Sequence, residues 1–262
     1  MLMLSAAAAV VLYGAGIYRV WPRDAAQPSA TGASWLAVVA MLCHAYASHG
    51  LLFTATGAQL SLVYVVNVVA LVIVTVVALA SFRLPVHNLF LLIFPIAIVA
   101  IAVGVLVDPG NATEASLTPA LLAHVLVALA AYSALMMAAC QSILLAAQER
   151  RLKAPGRGLA LWLPPLETME RLLVTMLWIG WVLLTAAIVS GFFFLEDIMA
   201  QQVAHHIVIT TLSWLVYVGF LVGRYLFGWR GLTAVRWTLV AFSLLVLGYL
   251  GSKFVLEYLI TP

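Results

Sequence analysis

Six histidines, His44, His49, His87, His124, His205 and His206, are the side chains of this chain best suited to chemistry. A neutral imidazole is a common ligand for metals and for haem iron. All six stand in or at the edge of long apolar runs, where an ionisable ring is costly unless it has a partner or a task. His44 and His124 are the most demanding, each within an apolar stretch at a depth that requires a hydrogen bond or a ligand. His205 and His206 form a pair at the start of another such stretch, where one of them can reach the mouth of a pocket. His49 and His87 read as rings that bond a neighbouring helix or sit among headgroups. No HExxH spacing and no nearby carboxylate completes a zinc site. A P-loop, a nucleophile elbow, a dinucleotide fingerprint and a CxxCH haem-attachment motif are also absent.

The elements that must position these rings follow from composition. Of 262 residues, 66% are hydrophobic and 8% are charged, against roughly 25% charged in soluble domains. Lipid is the solvent that suits such a surface. Apolar runs of about 20 residues, the length needed to cross the hydrocarbon core, lie near 2–20, 34–54, 60–81, 87–107, 119–147, 171–195, 205–227 and 234–257. The expected fold is therefore all-α: a polytopic bundle of about eight transmembrane helices, a single transmembrane domain over 1–262. Pro85 and Arg83 mark the turn between the third and fourth spans, since proline disfavours helix at its predecessor. Pro95 lies inside the fourth span, where a kink is tolerated.

Charge sets the expected orientation. Arg19, Arg23, Arg83, Arg150, Arg151, Lys153, Arg157, Arg171, Arg224, Arg230 and Arg236 all fall on one side of an eight-span chain, and Lys253 alone falls on the other. The opposite side carries Asp108, Glu114, Glu196, Asp197 and Glu257. Both termini are thus expected outside the cytoplasm. The first span has no charge before Arg19, which fits a retained helix inserted N-terminus outward rather than a cleaved signal peptide. The asymmetry also accounts for the net charge of +3 and the pI near 9.0 without nucleic-acid binding.

Counted at 1.5 Å per residue, His44 lies roughly 15 Å into its span and His124 about 7 Å below the outer end of its own. Five of the six histidines fall between the midplane and the outer face, with His87 at the cytoplasmic end. Two imidazoles from different helices can ligate haem iron while apolar walls enclose the ring. Cys43 and Cys140 fall at different depths, which disfavours a disulfide. The loop 148–170 has a basic start and then glycine and proline breakers. It reads as a connector on the anionic inner leaflet or as a docking site for a cytoplasmic partner. A small-solute transporter would have enough helices, but no inverted repeat or intramembrane carboxylate pair is visible.

Three segments together carry a resemblance. The first is the helix His124-Val-Leu-Val-Ala-Leu-Ala-Ala-Tyr132-Ser-Ala-Leu, and the second is Pro164-Pro165-Leu166-Glu167-Thr168-Met169-Glu170-Arg171. The third runs from His205 through Ser213-Trp214-Leu215-Val216-Tyr217 to Gly228-Trp229-Arg230-Gly231 and Gly251-Ser252-Lys253. The chain resembles the cytochrome c assembly family of membrane proteins, the CcsA- and HemX-like group, and within it the eight-helix YpjD-like branch of the bacterial inner (plasma) membrane. The resemblance implies haem b as cofactor, with His44, His124 and His205 as cofactor-binding residues and haem-iron ligands. It also implies a partner in cytochrome assembly or, as a membrane anchor or regulator, in tetrapyrrole biosynthesis. The tryptophan-rich Trp-Gly-x-Tyr-Trp-x-Trp-Asp loop of the family's synthases is missing before the seventh span, where only the link Glu196–Ala204 stands. The expectation is accordingly haem handling without a complete haem-ligating synthase, and no catalytic residue is assigned.

The orientation has a direct test. A periplasmic phosphatase fused after Pro262 should be active and a fluorescent protein at the same point dark, with both results reversed for fusions at Gly156.

Overall fold

The computed structural model describes residues 1–21, 30–54, 57–59, 61–107, 114–115, 118–153, 163–194 and 201–251, of which the side chains of 30–31, 54, 57–59, 114–115, 194, 201–205 and 250 are left aside. Eight helices long and apolar enough to cross a membrane account for most of them. They are α1 (Leu2–Val20), α2 (Ala30–Leu52), α3 (Leu62–Ala80), α4 (Phe90–Leu106), α5 (Pro119–Lys153), α6 (Leu166–Phe194), α7 (Gln201–Phe227) and α8 (Leu232–Val246). Helix is what such sequences must form in lipid, because each backbone N–H and C=O then finds its partner within the segment. A 3-10 turn, His87–Leu89, leads into α4, and a π-helical turn, Leu247–Gly251, continues α8.

The chain divides into two compact units, Met1–Ser116 and Leu117–Pro262. In the first, α1 packs on α2 and α4, and α3 packs on α2 and α4. The buried stripe of α1 is Ala6, Ala9, Tyr13, Gly16 and Val20, while Met3, Leu4, Val11 and Tyr18 face outward. Small residues at helical spacing let the helices approach closely. At Gly16 the approach is tightest: a Cβ there would overlap the Phe94 ring and stand 2.9 Å from its Cδ2. Phe94 in turn stacks on Phe90, centroids 4.5 Å apart, and tilts against Tyr13 at 5.0 Å. Pro85 stands in the turn after α3, where Arg83 N–H and Leu84 N–H both donate to the Ala80 carbonyl. A small antiparallel sheet, absent from the sequence reading, joins β1 (Phe53–Thr54), β2 (Gly57–Gln59) and β3 (Glu114–Ala115) in that order. It gives backbone partners to segments that lie beyond the helix ends.

In the second unit α5 runs along α6 and also contacts α8, and α7 pairs with α8. The 35 residues of α5 make a rod of about 52 Å, well beyond the ≈ 30 Å hydrocarbon core. Its far end, Arg150 to Lys153, is exposed. At that end the second and third motif segments meet. Glu170 accepts a hydrogen bond from the Gly231 N–H at 2.8 Å and lies 4.0 Å from Arg224, whose guanidinium donates to the Trp229 carbonyl at 3.1 Å. Gly228 and Gly231 have φ of +66° and +55°, the left-handed region that glycine enters at least cost. Gln141, fully buried, donates to the Met169 carbonyl at 3.2 Å. Trp181 stacks on Trp214, whose indole N–H donates to Thr185 at 2.8 Å. Both cysteines are free thiols.

Gly16 supplies a stability test with an internal control. Gly16→Leu must overpack the Phe94 seat and is expected to cost about 1–3 kcal/mol, read as a lower thermal midpoint in detergent. At Gly14, two positions along the same helix, an added Cβ meets nothing within 4 Å, and Gly14→Leu should leave the midpoint near that of the parent.

Candidate functional site

The first unit encloses a polar chain built around His44. Its Nδ1 is 3.1 Å from the Tyr13 hydroxyl on α1, and its Nε2 is 3.0 Å from Asn67 Oδ1 on α3. Asn67 Nδ2 donates onward to Ser48 Oγ at 2.8 Å. An amide oxygen only accepts, so Nε2 carries the proton and Nδ1 accepts from the tyrosine. His44 and its ring environment are fully buried, and both ring nitrogens are engaged. The arrangement ties α1, α2 and α3 together and presents no imidazole lone pair to a ligand. His87, at the other end of this unit, is 3.0 Å from Ser34 through Nε2, and Ser81 donates to the same serine hydroxyl at 2.7 Å. His49 is exposed, its ring against Phe53.

The second unit contains a cleft lined by His124, Ala128 and Tyr132 of α5, by Ala187, Ile188, Gly191 and Phe192 of α6, and by His206, Ile207 and Thr210 of α7. His124, Ala128 and Tyr132 fall at i, i+4 and i+8, one face of a helix. On α7, His206 and Thr210 begin a stripe that Ser213 and Tyr217 continue at i+7 and i+11. Gly191 keeps the α6 wall thin: a Cβ there would stand 3.3 Å from His124 Cε1.

Both lining histidines are held through Nδ1. His124 Nδ1 is 2.8 Å from Ser190 Oγ, a hydroxyl that can donate or accept and that also lies 3.1 Å from the Ala187 carbonyl. His206 Nδ1 is 3.1 Å from the Gly248 carbonyl oxygen, which only accepts. The neutral His206 ring thus carries its proton on Nδ1 and its lone pair on Nε2. Holding Nδ1–H by a backbone carbonyl or a relayed hydroxyl is how proteins orient an imidazole that ligates a metal through Nε2. Tyr249 packs edge-on against both His206 and Tyr132, each at 5.7 Å between centroids. Tyr132 donates at 3.4 Å to the Leu245 carbonyl.

Residues 33–260 match the model of the family described as cytochrome C assembly protein. The chain belongs to that family. It is 30% identical over 221 residues to the inner membrane protein YpjD of Escherichia coli K12, covering 84% of each chain. It is also 32% identical over 140 residues to an uncharacterised 28.8 kDa protein of Azospirillum brasilense, covering 52% of each. No solved structure matches it. Family membership together with eight membrane-capable helices makes this a multi-pass inner-membrane protein.

Of the three histidines that the resemblance marked, His124 lines the cleft and His44 is consumed by its network in the first unit. The side chain of His205 lies outside the described residues. His206 takes the place beside His124. The sequence signal that singles it out is the α7 stripe, since His206, Thr210, Ser213 and Tyr217 share a face. Ser190, Gly248 and Tyr249 carry no such signal, being respectively a hydroxyl on another helix, a backbone carbonyl and an apolar ring contact.

The closed network around His44 sets a measurable coupling. Asn67→Ala leaves the buried Nε2–H without its acceptor and should cost about 1–3 kcal/mol. The same substitution in a His44→Leu background should cost markedly less. Unfolding midpoints of the four proteins of that cycle, taken in one detergent, decide it; equal losses in both backgrounds would mean that the hydrogen bond is not what Asn67 contributes.

Proposed function

We propose that this chain binds haem in its second unit through His124 and His206 and passes it on during cytochrome c assembly. The reading is of a haem-binding or haem-transfer protein, without a complete haem-ligating synthase and without catalytic residues of its own. The observation that carries it is the pair of imidazoles lining one cleft, both held through Nδ1, with the Gly248 carbonyl placing the His206 lone pair on Nε2. That donor set suits haem iron, which neutral imidazoles would hold, and apolar side chains line most of the rest of the wall. When bound, the iron would supply the redox and ligation chemistry. The chain's own residues would bind it, orient it and keep it from water.

The cleft's volume argues for transfer over residence. At about 110 Å3 it is below the ≈ 300–1,000 Å3 of pockets that bury a drug-sized ligand. A tetrapyrrole would be held at the cleft's open side, where Phe192 is half exposed, and such a seat favours release. In the orientation read from charge, both termini and this cleft lie toward the outer face, where a cytochrome is assembled. A second reading, in which the chain anchors or regulates a cytoplasmic partner in tetrapyrrole biosynthesis, draws on the exposed basic end of α5, Arg150, Arg151 and Lys153.

The test is the absorption spectrum of protein purified from haem-replete cells. A Soret band is expected, with His124→Ala and His206→Ala each lowering hemin affinity roughly 10-fold or more and His44→Phe sparing it. No band after hemin supply, or one indifferent to both cleft substitutions, would overturn the reading.

A further inference from the structure

The last turn of α8 is the one place among the described residues where the helical hydrogen-bond pattern changes to the wider π form, Leu247–Gly251. Such turns occur mostly as single-turn insertions and frequently at functional sites. This one packs on two residues that line the cleft, His206 and Tyr132. Its Gly248 carbonyl accepts from His206, and its Tyr249 ring packs on both His206 and Tyr132. Two earlier α8 carbonyls are used in the same way. Leu245 accepts from Tyr132 of α5 at 3.4 Å, and Ala241 accepts from Ser213 of α7 at 2.7 Å. One line of α8 carbonyls therefore receives three side chains from the two helices that carry the candidate ligands.

Two groups compete for His206 Nδ1. The Gly248 carbonyl lies at 3.1 Å and requires a proton on that nitrogen, whereas the Thr210 hydroxyl at 3.5 Å can accept from Nδ1–H or donate to its lone pair and so admits either tautomer. The shorter contact wins while the π-turn is in place, and the lone pair goes to Nε2. If the turn withdraws, Thr210 is left as the partner, either tautomer is satisfied, and the selection of Nε2 as the lone-pair nitrogen is lost. The close approach depends on a missing side chain. A Cβ on Gly248 would stand 3.2 Å from Ile209 Cγ2 and 3.4 Å from Thr210 Oγ1, tighter than ordinary packing at the first of these.

We propose that the π-turn Leu247–Gly251 is the positioning element for His206, and that docking of Gly248 on α7 selects the imidazole tautomer able to ligate through Nε2. The ligand's identity rests on the haem reading above; the tautomer does not. Gly248 and Tyr249 are positioning residues, acting on a ligand only through His206.

The experiment uses the full-length apo-protein in lipid nanodiscs with histidine ring nitrogens labelled with 15N, at a pH where the imidazoles are neutral. The His206 signals are assigned by their loss in His206→Gln. In the parent, His206 is expected to show a protonated Nδ1 and an unprotonated Nε2. In Gly248→Ala the populations should shift toward the opposite tautomer, with hemin affinity lowered roughly 10- to 100-fold, the range for losing a group that orients a metal ligand. Adding Ile209→Ala, which removes the atom a new Cβ would meet, should restore both. A parent His206 protonated on Nε2 overturns the proposal, even if Gly248→Ala fails to fold, and so does an unchanged tautomer in a folded Gly248→Ala. If the parent tautomer is as expected and hemin nevertheless does not bind, the positioning role stands and the haem reading falls.

Discussion

Inside a bilayer a polar group has no water to fall back on, and everything else in this protein depends on how each buried polar group finds a partner within the chain. An apolar helix satisfies its own backbone and asks little of its neighbours. The polar side chains are what specify which helices meet and where. In the first unit, Tyr13, His44, Asn67 and Ser48 form a closed set drawn from α1, α2 and α3. In the second, the same requirement is met differently. His206 uses Nδ1 on the Gly248 carbonyl and His124 uses Nδ1 on the Ser190 hydroxyl, and the remaining nitrogen of each belongs to a ring that lines a cleft.

That difference separates two histidines that sequence alone treats as equals. His44 and His124 both stand in apolar helices at a depth where an imidazole must be accounted for. Depth cannot say whether the account is closed by hydrogen bonds or left for a ligand, because the answer lies in residues on other helices. For His44 the deciding partner is Tyr13, a residue with no polar neighbours in sequence. For His124 it is Ser190, one of several small residues near the end of α6.

The helical architecture was legible because it follows from length and hydropathy, which each segment carries by itself. Eight apolar runs became eight membrane-capable helices, and Pro85 stands in the turn between α3 and α4. The extent of α5 was less legible. Gln148, Glu149, Arg150 and Arg151 read as loop by composition, yet helix continues to Lys153, because Gln148 is buried and the helix end pairs Glu149 with Lys153 at 2.6 Å. The three strands were not legible at all, since two- and three-residue pairings leave no periodicity to detect. The site was half legible. Imidazole chemistry and the α7 stripe point to it, but its orienting groups are backbone carbonyls, which every residue has and no residue type advertises.

This last point gives the family motifs a physical role beyond their own surroundings. Glu170, from Pro-Pro-Leu-Glu-Thr-Met-Glu-Arg, holds the N–H of Gly231, from Gly-Trp-Arg-Gly, at the start of α8. Ser213, from Ser-Trp-Leu-Val-Tyr, holds its middle at Ala241, and His206 holds its end at Gly248. Helix α8 is thereby pinned at three heights along its axis. A helix advances 1.5 Å per residue, while a hydrogen bond of 3.1 Å weakens steeply when its geometry is stretched by a fraction of that. The position of the Gly248 carbonyl opposite His206 is therefore set in part by the Glu170 carboxylate of α6, which holds the start of α8. Residues that touch neither the cleft nor a ligand belong to the site in that sense, because they fix where along its axis α8 presents its carbonyls.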